Sequence, residues 1–141
     1  PKAKVSHHRL HEDFEGIDET IAMSSMYAAN HLGAKVVATL TQTGKTALWM
    51  SRISSNISIF AMSDNYKTLK KVTIYRGVYP CYIEKNSADD WNDVNSKVIE
   101  NLLSKSVVVD KDIVIVTKGM HKDKSGGTNL MKILRVGDGN Y

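Results

Sequence analysis

A short threonine-rich loop carries the residue types best suited to binding a phosphate group. Thr41, Gln42, Thr43, Gly44, Lys45 and Thr46 lie between an apolar run and a stretch with helical periodicity. The first N–H groups of a helix lack intrahelical partners, and the helix dipole favours an anion there. Gly44 permits close backbone approach, the threonine hydroxyls can donate, and Lys45 adds a positive charge. The loop predicts a phosphate site, and a turn that only begins a helix is the alternative.

The end of this loop resembles the Walker A motif of P-loop NTPases, but its spacing differs. That motif places a glycine five residues before the glycine that precedes its lysine. Here that position is Thr39, inside the apolar run. The loop is therefore too short to wrap a triphosphate, which argues against a nucleotide hydrolase.

A second polar segment, Gly119–Asn129, is long for a compact domain. It contains Gly126 and Gly127, followed by Thr128. Two glycines suit a mobile lid that presents backbone N–H groups to a ligand, and a flexible turn without a function is the alternative.

Strands and helices alternate along the chain, and they must position these two loops. Apolar runs rich in β-branched residues predict strands at 35–41, 57–62, 77–83, 112–117 and 131–136. Helical periodicity predicts helices at 17–32, 46–53, about 64–72 and about 87–104. Gly33 is expected to end the first helix, Ser63 or Asp64 to cap the third, and Pro80 to mark a sheet edge. Ser87–Asp90 matches a capping box for the fourth helix.

This alternation predicts an α/β fold, a three-layer α/β/α sandwich around a five-stranded, mostly parallel sheet. Three consecutive strand–helix units and a return across the first strand give the order 3-2-1-4-5. No helix precedes the last strand, so that strand is expected to be antiparallel. The winding direction reverses between strands one and four, where ligands bind in such sheets. The two polar loops should therefore face each other across one crevice.

Five segments, in order, resemble the C-terminal domain of pyruvate kinases. They are Glu19–Ser24, Thr41–Ala47, Tyr75–Pro80, Asp112–Gly119 and Gly127–Leu134. The resemblance covers essentially the whole chain. It is strongest to the bacterial type activated by AMP or sugar monophosphates, rather than by fructose 1,6-bisphosphate.

The resemblance implies an allosteric site. The phosphate of an effector would bind at Thr41–Thr46, and the loop of Gly126, Gly127 and Thr128 would close over it. In members activated by fructose 1,6-bisphosphate, a Trp and an Arg before the fourth strand also contact the sugar. Trp91 corresponds to that Trp, but Lys97 is the nearest cation to the Arg position. This departure favours a monophosphate effector.

The resemblance also implies a longer, cytoplasmic, homotetrameric enzyme that transfers a phosphoryl group from phosphoenolpyruvate to ADP with Mg²⁺ and K⁺. That chemistry belongs to a (β/α)₈ barrel, so residues 1–16 are interpreted as a lead-in from the barrel and residues 17–141 as the effector-binding domain. This chain alone is expected to be inactive and to hold no cofactor. A free-standing phosphometabolite-binding module without kinase activity is the alternative.

Composition excludes several other classes of protein. A net charge of +4 with dispersed lysines does not favour nucleic-acid binding. The sequence has no apolar run of 18 residues that would predict a membrane span. Cys81 is the single cysteine, which excludes an internal disulfide and favours a packing role. His7, His8 and His11 lack a fixed further ligand and do not predict a metal site.

Overall fold

The computed structural model describes residues 16–53, 55–84, 91–119 and 127–141. The four helices in these ranges are α1 (Ile17–Leu32), α2 (Lys45–Ser51), α3 (Tyr66–Val72) and α4 (Trp91–Ser104). The five strands are β1 (Val36–Leu40), β2 (Ser58–Ser63), β3 (Val78–Tyr82), β4 (Ile113–Gly119) and β5 (Thr128–Arg135). The lead-in segment, the capping box at Ser87–Asp90 and Gly126 lie outside the described residues.

One sheet with the order β3-β2-β1-β4-β5 forms the centre of the molecule. The first three of its strand pairings, counted from β3, are parallel, and β4 pairs with β5 in antiparallel orientation. The predicted order and the antiparallel last strand are confirmed. The winding direction reverses between β1 and β4, as the connectivity required.

Two apolar layers cover the two faces of this sheet. On one face, Val37 and Ile115 pack with buried residues of α1, α2 and α3. On the other face, Val36 and Val116 pack with α4. Because β1 and β4 are buried on both faces, they consist mostly of β-branched residues without polar alternation.

The ends of several elements follow from local chemistry. Gly33 takes a left-handed conformation, with φ of 66°, and ends α1 as expected. Pro80 lies in β3, an outer strand of the sheet, where the missing N–H removes no bond to a further strand. Both features were predictable because they depend on a single residue type.

The predicted cap of α3 was wrong. Asn65 is the N-cap, and its Oδ1 accepts hydrogen bonds from the N–H groups of Lys67 and Thr68 at 3.0 and 3.4 Å. Ser63 ends β2 instead, and its hydroxyl accepts a bond from the Asn65 N–H at 3.1 Å. Strand β2 therefore continues through Ser63, beyond its predicted end, and α3 begins later in the chain than predicted.

Strand β5 begins three residues earlier than predicted, at Thr128 rather than Met131. Thr128 pairs with Gly119 beyond a register shift between Lys118 and Gly119. Such a bulge has no clear periodic signal in the sequence, because the alternation of faces is interrupted there.

Candidate functional site

The carboxyl ends of β1 and β4 place the two polar loops next to each other. Thr39 of β1 is in register with Thr117 of β4 on the neighbouring parallel strand. Parallel strands that are side by side end at the same edge of the sheet. The loop that follows β1 and the loop that follows β4 therefore leave the sheet from adjacent positions.

Backbone and hydroxyl hydrogen bonds hold the first loop in a tight turn. The Gly44 N–H donates to the Thr41 hydroxyl at 2.9 Å, and the Lys45 N–H donates to the Thr43 hydroxyl at 3.3 Å. The Thr68 hydroxyl of α3 donates to the Gln42 carbonyl at 2.5 Å. Both loop hydroxyls act as acceptors here, so each still has a proton to offer to a ligand.

Gly44 is required by this turn for two separate reasons. Its φ of 81° lies in the left-handed region, which side chains disfavour. A Cβ atom at this position would also lie 2.8 Å from Cγ1 of Val72 in α3. Gly44 therefore lets the loop pack against α3 while it serves as the N-cap residue of α2.

Lys45 and Thr46 open α2 with different exposures. Lys45 is exposed, and its Nζ lies 4.8 Å from the centre of the Trp49 ring, a cation–π contact within the same helix. Thr46 is buried, and its hydroxyl lies 2.8 Å from the hydroxyl of Thr128. The ammonium group is thus at the surface beside the loop, whereas the Thr46 hydroxyl is buried against Thr128.

The base of the second loop is held close to the first loop. Gly119 approaches Gly127 so tightly that a Cβ on Gly119 would clash with the Gly127 carbonyl oxygen. Thr128 follows directly and contacts Thr46 through the hydroxyl pair. The described residues therefore bring Thr46 and Thr128 together, although 82 positions separate them in the chain.

Lys97 lies in a different groove, between β3 and α4. This groove has a volume of about 500 Å³, and Tyr82, Glu84 and Asn101 also line it. Residues 41–46, all of them described, are not among its lining residues. Trp91 is the first residue of α4. Lys97 therefore lines a groove to which the first loop contributes no residue.

Cys81 lies beside the groove and has the character of a packing residue. The side chain is 3% exposed, and its thiol donates to Oδ1 of Asn101 at 3.2 Å. Burial raises the pKa of the Cys81 thiol above its ordinary value, and the charge of Lys105 only partly opposes this. The thiol is therefore protonated at neutral pH and is a poor nucleophile.

Two buried threonines beneath the loops were not identified from the sequence. Thr39 and Thr117 are both fully buried, and neither hydroxyl has a hydrogen-bond partner in the described part of the chain. The only signal was a threonine among the valines and isoleucines of each central strand. Asp18 and Asn95 are also buried and each carry unpartnered polar side-chain atoms within the described ranges.

The described residues were also compared with the requirements of a metal site and of a membrane-spanning helix. Across the described ranges, no group of three or more His, Cys, Asp or Glu side chains is placed to hold a metal ion. None of the described helices is long and apolar enough to cross a membrane.

Known proteins match the chain over most of its length. Residues 19–134 match the family model described as "Pyruvate kinase, alpha/beta domain". The chain is 47% identical over 137 residues to a pyruvate kinase of Buchnera aphidicola subsp. Schizaphis graminum, which covers 96% of this chain and 28% of that protein. It is 44% identical over 137 residues to pyruvate kinase II of Salmonella typhimurium, with coverages of 96% and 28%.

A pyruvate kinase of Haemophilus influenzae is 44% identical over 121 residues, which is 84% of this chain and 25% of that protein. The chain thus spans little more than a quarter of the length of the relatives it matches. The α/β fold agrees with the description of this family, and the sequence match covers most of the chain, so the chain belongs to the family of pyruvate kinase α/β domains.

Proposed function

We propose that this chain is the regulatory domain of a pyruvate kinase and binds the phosphate group of an allosteric effector at Thr41–Thr46. The observation that carries this proposal is the glycine turn at Gly44, which leads into α2 beside the start of β5. The turn lies at the reversal of strand order, where α/β sheets bind ligands.

The chemistry of the loop suits a phosphate. The first N–H groups of α2 have no carbonyl partner within the helix, and their dipoles point toward the loop. The hydroxyls of Thr41 and Thr43 can each donate a proton, and the exposed ammonium of Lys45 balances the negative charge. We expect Gly126, Gly127 and Thr128 to complete the site from the opposite side.

A monophosphate fits this site better than a bisphosphate. The cation that would neutralise a second phosphate, Lys97, lines the groove between β3 and α4 with Glu84 and Glu100. Two carboxylates in that groove oppose the binding of another anion. AMP or a sugar monophosphate is therefore the expected effector, rather than fructose 1,6-bisphosphate.

In the longer protein, phosphoryl transfer from phosphoenolpyruvate to ADP belongs to a catalytic barrel, with Mg²⁺ and K⁺ bound there. This chain contributes regulation and no catalytic residue. We further propose that β5, an edge strand with Ile133 46% exposed, takes part in the subunit contacts of a homotetramer. An effector would then act by favouring one quaternary state.

Isothermal titration calorimetry with AMP, ribose 5-phosphate, glucose 6-phosphate and fructose 1,6-bisphosphate tests the site. Lys45→Ala removes a charge-assisted bond and should weaken binding of the preferred monophosphate by about tenfold or more. Lys71→Ala is the matched control, because Lys71 is an exposed lysine near the end of α3. Unchanged affinity of Lys45→Ala for all four compounds would show that the phosphate site is elsewhere.

A further inference from the structure

Thr46 and Thr128 form a buried hydroxyl pair that joins the start of α2 to the start of β5. Their Oγ1 atoms lie 2.8 Å apart, and the two residues are 2% and 6% exposed. Thr46 belongs to the proposed phosphate loop, whereas Thr128 is the first residue of an outer strand. The pair is a direct contact between the proposed site and the edge of the sheet.

Both ends of this contact have close backbone neighbours. Thr128 pairs with Gly119 across the β-bulge, where Gly119 already touches the backbone of Gly127. Thr46 lies two residues after Gly44, where an added Cβ would lie 2.8 Å from Cγ1 of Val72 in α3. A change in the position of the Thr46 hydroxyl therefore acts directly on Thr128, its hydrogen-bond partner.

A threonine hydroxyl can take part in two hydrogen bonds of opposite sense. It has one proton to donate and two lone pairs that accept. Thr46 can therefore accept from Thr128 while it donates to a phosphate oxygen. Accepting a bond polarises a hydroxyl and makes it a stronger donor.

We propose that Thr128 is a positioning residue, which orients the Thr46 hydroxyl and couples the occupancy of the phosphate loop to the stability of β5. The coupling rests on the proposed phosphate role of the loop. The hydroxyl pair itself can be tested separately, on the chain with no ligand added. Binding at the loop should then stabilise β5, and loss of either hydroxyl should loosen it.

Amide hydrogen exchange of the ligand-free 141-residue chain tests the pair. Thr46→Val and Thr128→Val should each speed exchange of the slow amides in Leu130–Lys132 by on the order of tenfold. The double variant should add nothing further, because both changes break one bond. Thr73→Val is the control, since its hydroxyl donates to the Lys70 carbonyl on the surface and should leave β5 unchanged.

The Thr128→Ser variant distinguishes the effect of the hydroxyl from the effect of packing. Thr128→Ser keeps the hydroxyl and loses a methyl group, so it should restore exchange rates close to those of the original chain. Additive effects of the two valine variants, unchanged β5 exchange, or a serine variant that behaves like valine would each overturn the proposal.

A second set of hydrogen-exchange measurements adds inorganic phosphate or glucose 6-phosphate as the ligand. Either probe, when bound, should slow exchange in β5, and Thr128→Val should weaken binding and abolish this slowing. Equal slowing in Thr128→Val would refute the coupling. If the original chain binds neither these probes nor AMP, the proposed phosphate function is wrong, and the ligand-free measurement alone decides whether Thr128 positions Thr46.

Discussion

Gly44 shows how one residue type can serve conformation and packing together. Its positive φ creates the turn at the start of α2, and its lack of a side chain makes room for Val72. A glycine at the end of helix α1, Gly33, has a similar φ of 66°, but a Cβ added there would meet nothing within 4 Å. A comparison of substitutions at the two glycines therefore separates the effect of backbone strain from the effect of steric contact.

We expect Gly44→Ala to destabilise the chain more than Gly33→Ala does. Each change places alanine in the left-handed region, at about 1–3 kcal/mol of strain. Only Gly44→Ala adds a 2.8 Å contact with Val72. Chemical denaturation of both variants measures the difference, and equal losses of unfolding free energy would show that α3 moves aside without penalty.

Thr39 provides a second prediction at the residue scale. Its buried hydroxyl has no partner among the described residues, so replacing it with a methyl group removes an unsatisfied polar atom without changing the shape. Thr39→Val should raise the free energy of unfolding by about 1 kcal/mol. The matched control is Thr73→Val, which loses a surface hydrogen bond and should be neutral or slightly destabilising. A clear loss of stability in Thr39→Val, measured by chemical denaturation, would show that the hydroxyl is satisfied in solution.

At the scale of elements, α3 depends on a cap that its own sequence does not single out. Ser63, Asp64 and Asn65 are all residue types that cap helices, and they are consecutive. Ser63 is the last residue of β2, where it pairs with Tyr82 of β3. The sheet thus decides which of the three is left to cap the helix.

Asn65→Ala should lower the free energy of unfolding by about 1 kcal/mol, because the N–H groups of Lys67 and Thr68 lose their acceptor. Asp64→Ala is the matched control, one position earlier and outside the helix. Thermal unfolding followed by circular dichroism compares the two. An Asp64→Ala variant that loses as much as Asn65→Ala would contradict the cap assignment.

At the scale of the whole molecule, the two edges of the sheet differ. Pro80 interrupts the outer side of β3, which disfavours pairing with another strand. The other edge, β5, is eight residues long, and Ile133 on it is 46% exposed. The long edge is therefore the surface on which we place the proposed contact between subunits.

Ile133→Lys should reduce self-association, because a lysine on an edge strand opposes strand pairing. Ile74→Lys is the control: Ile74 is 82% exposed but lies between α3 and β3. Sedimentation velocity over a range of concentrations measures both variants against the original chain. A smaller association constant in Ile74→Lys than in Ile133→Lys would place the contact on the other side of the molecule.

Much of the fold and part of the candidate site were predictable from the sequence. Element types follow from local periodicity, and the strand order follows from the connections, because few topologies satisfy both. The glycine turn at Gly44 and the family resemblance also depend on short segments read in order. These features are properties of neighbouring residues, so no packing had to be known.

Tertiary structure alone decided the contacts between distant residues. The hydroxyl pair of Thr46 and Thr128, the contact of Gly44 with Val72, and the position of Lys97 in a groove beside β3 all depend on how helices pack on the sheet. A side chain's neighbours across 82 positions are set by the summed geometry of the elements between them. The sequence by itself thus determined the family, the fold and the glycine turn for which we propose phosphate binding, whereas packing determined which side chains meet there.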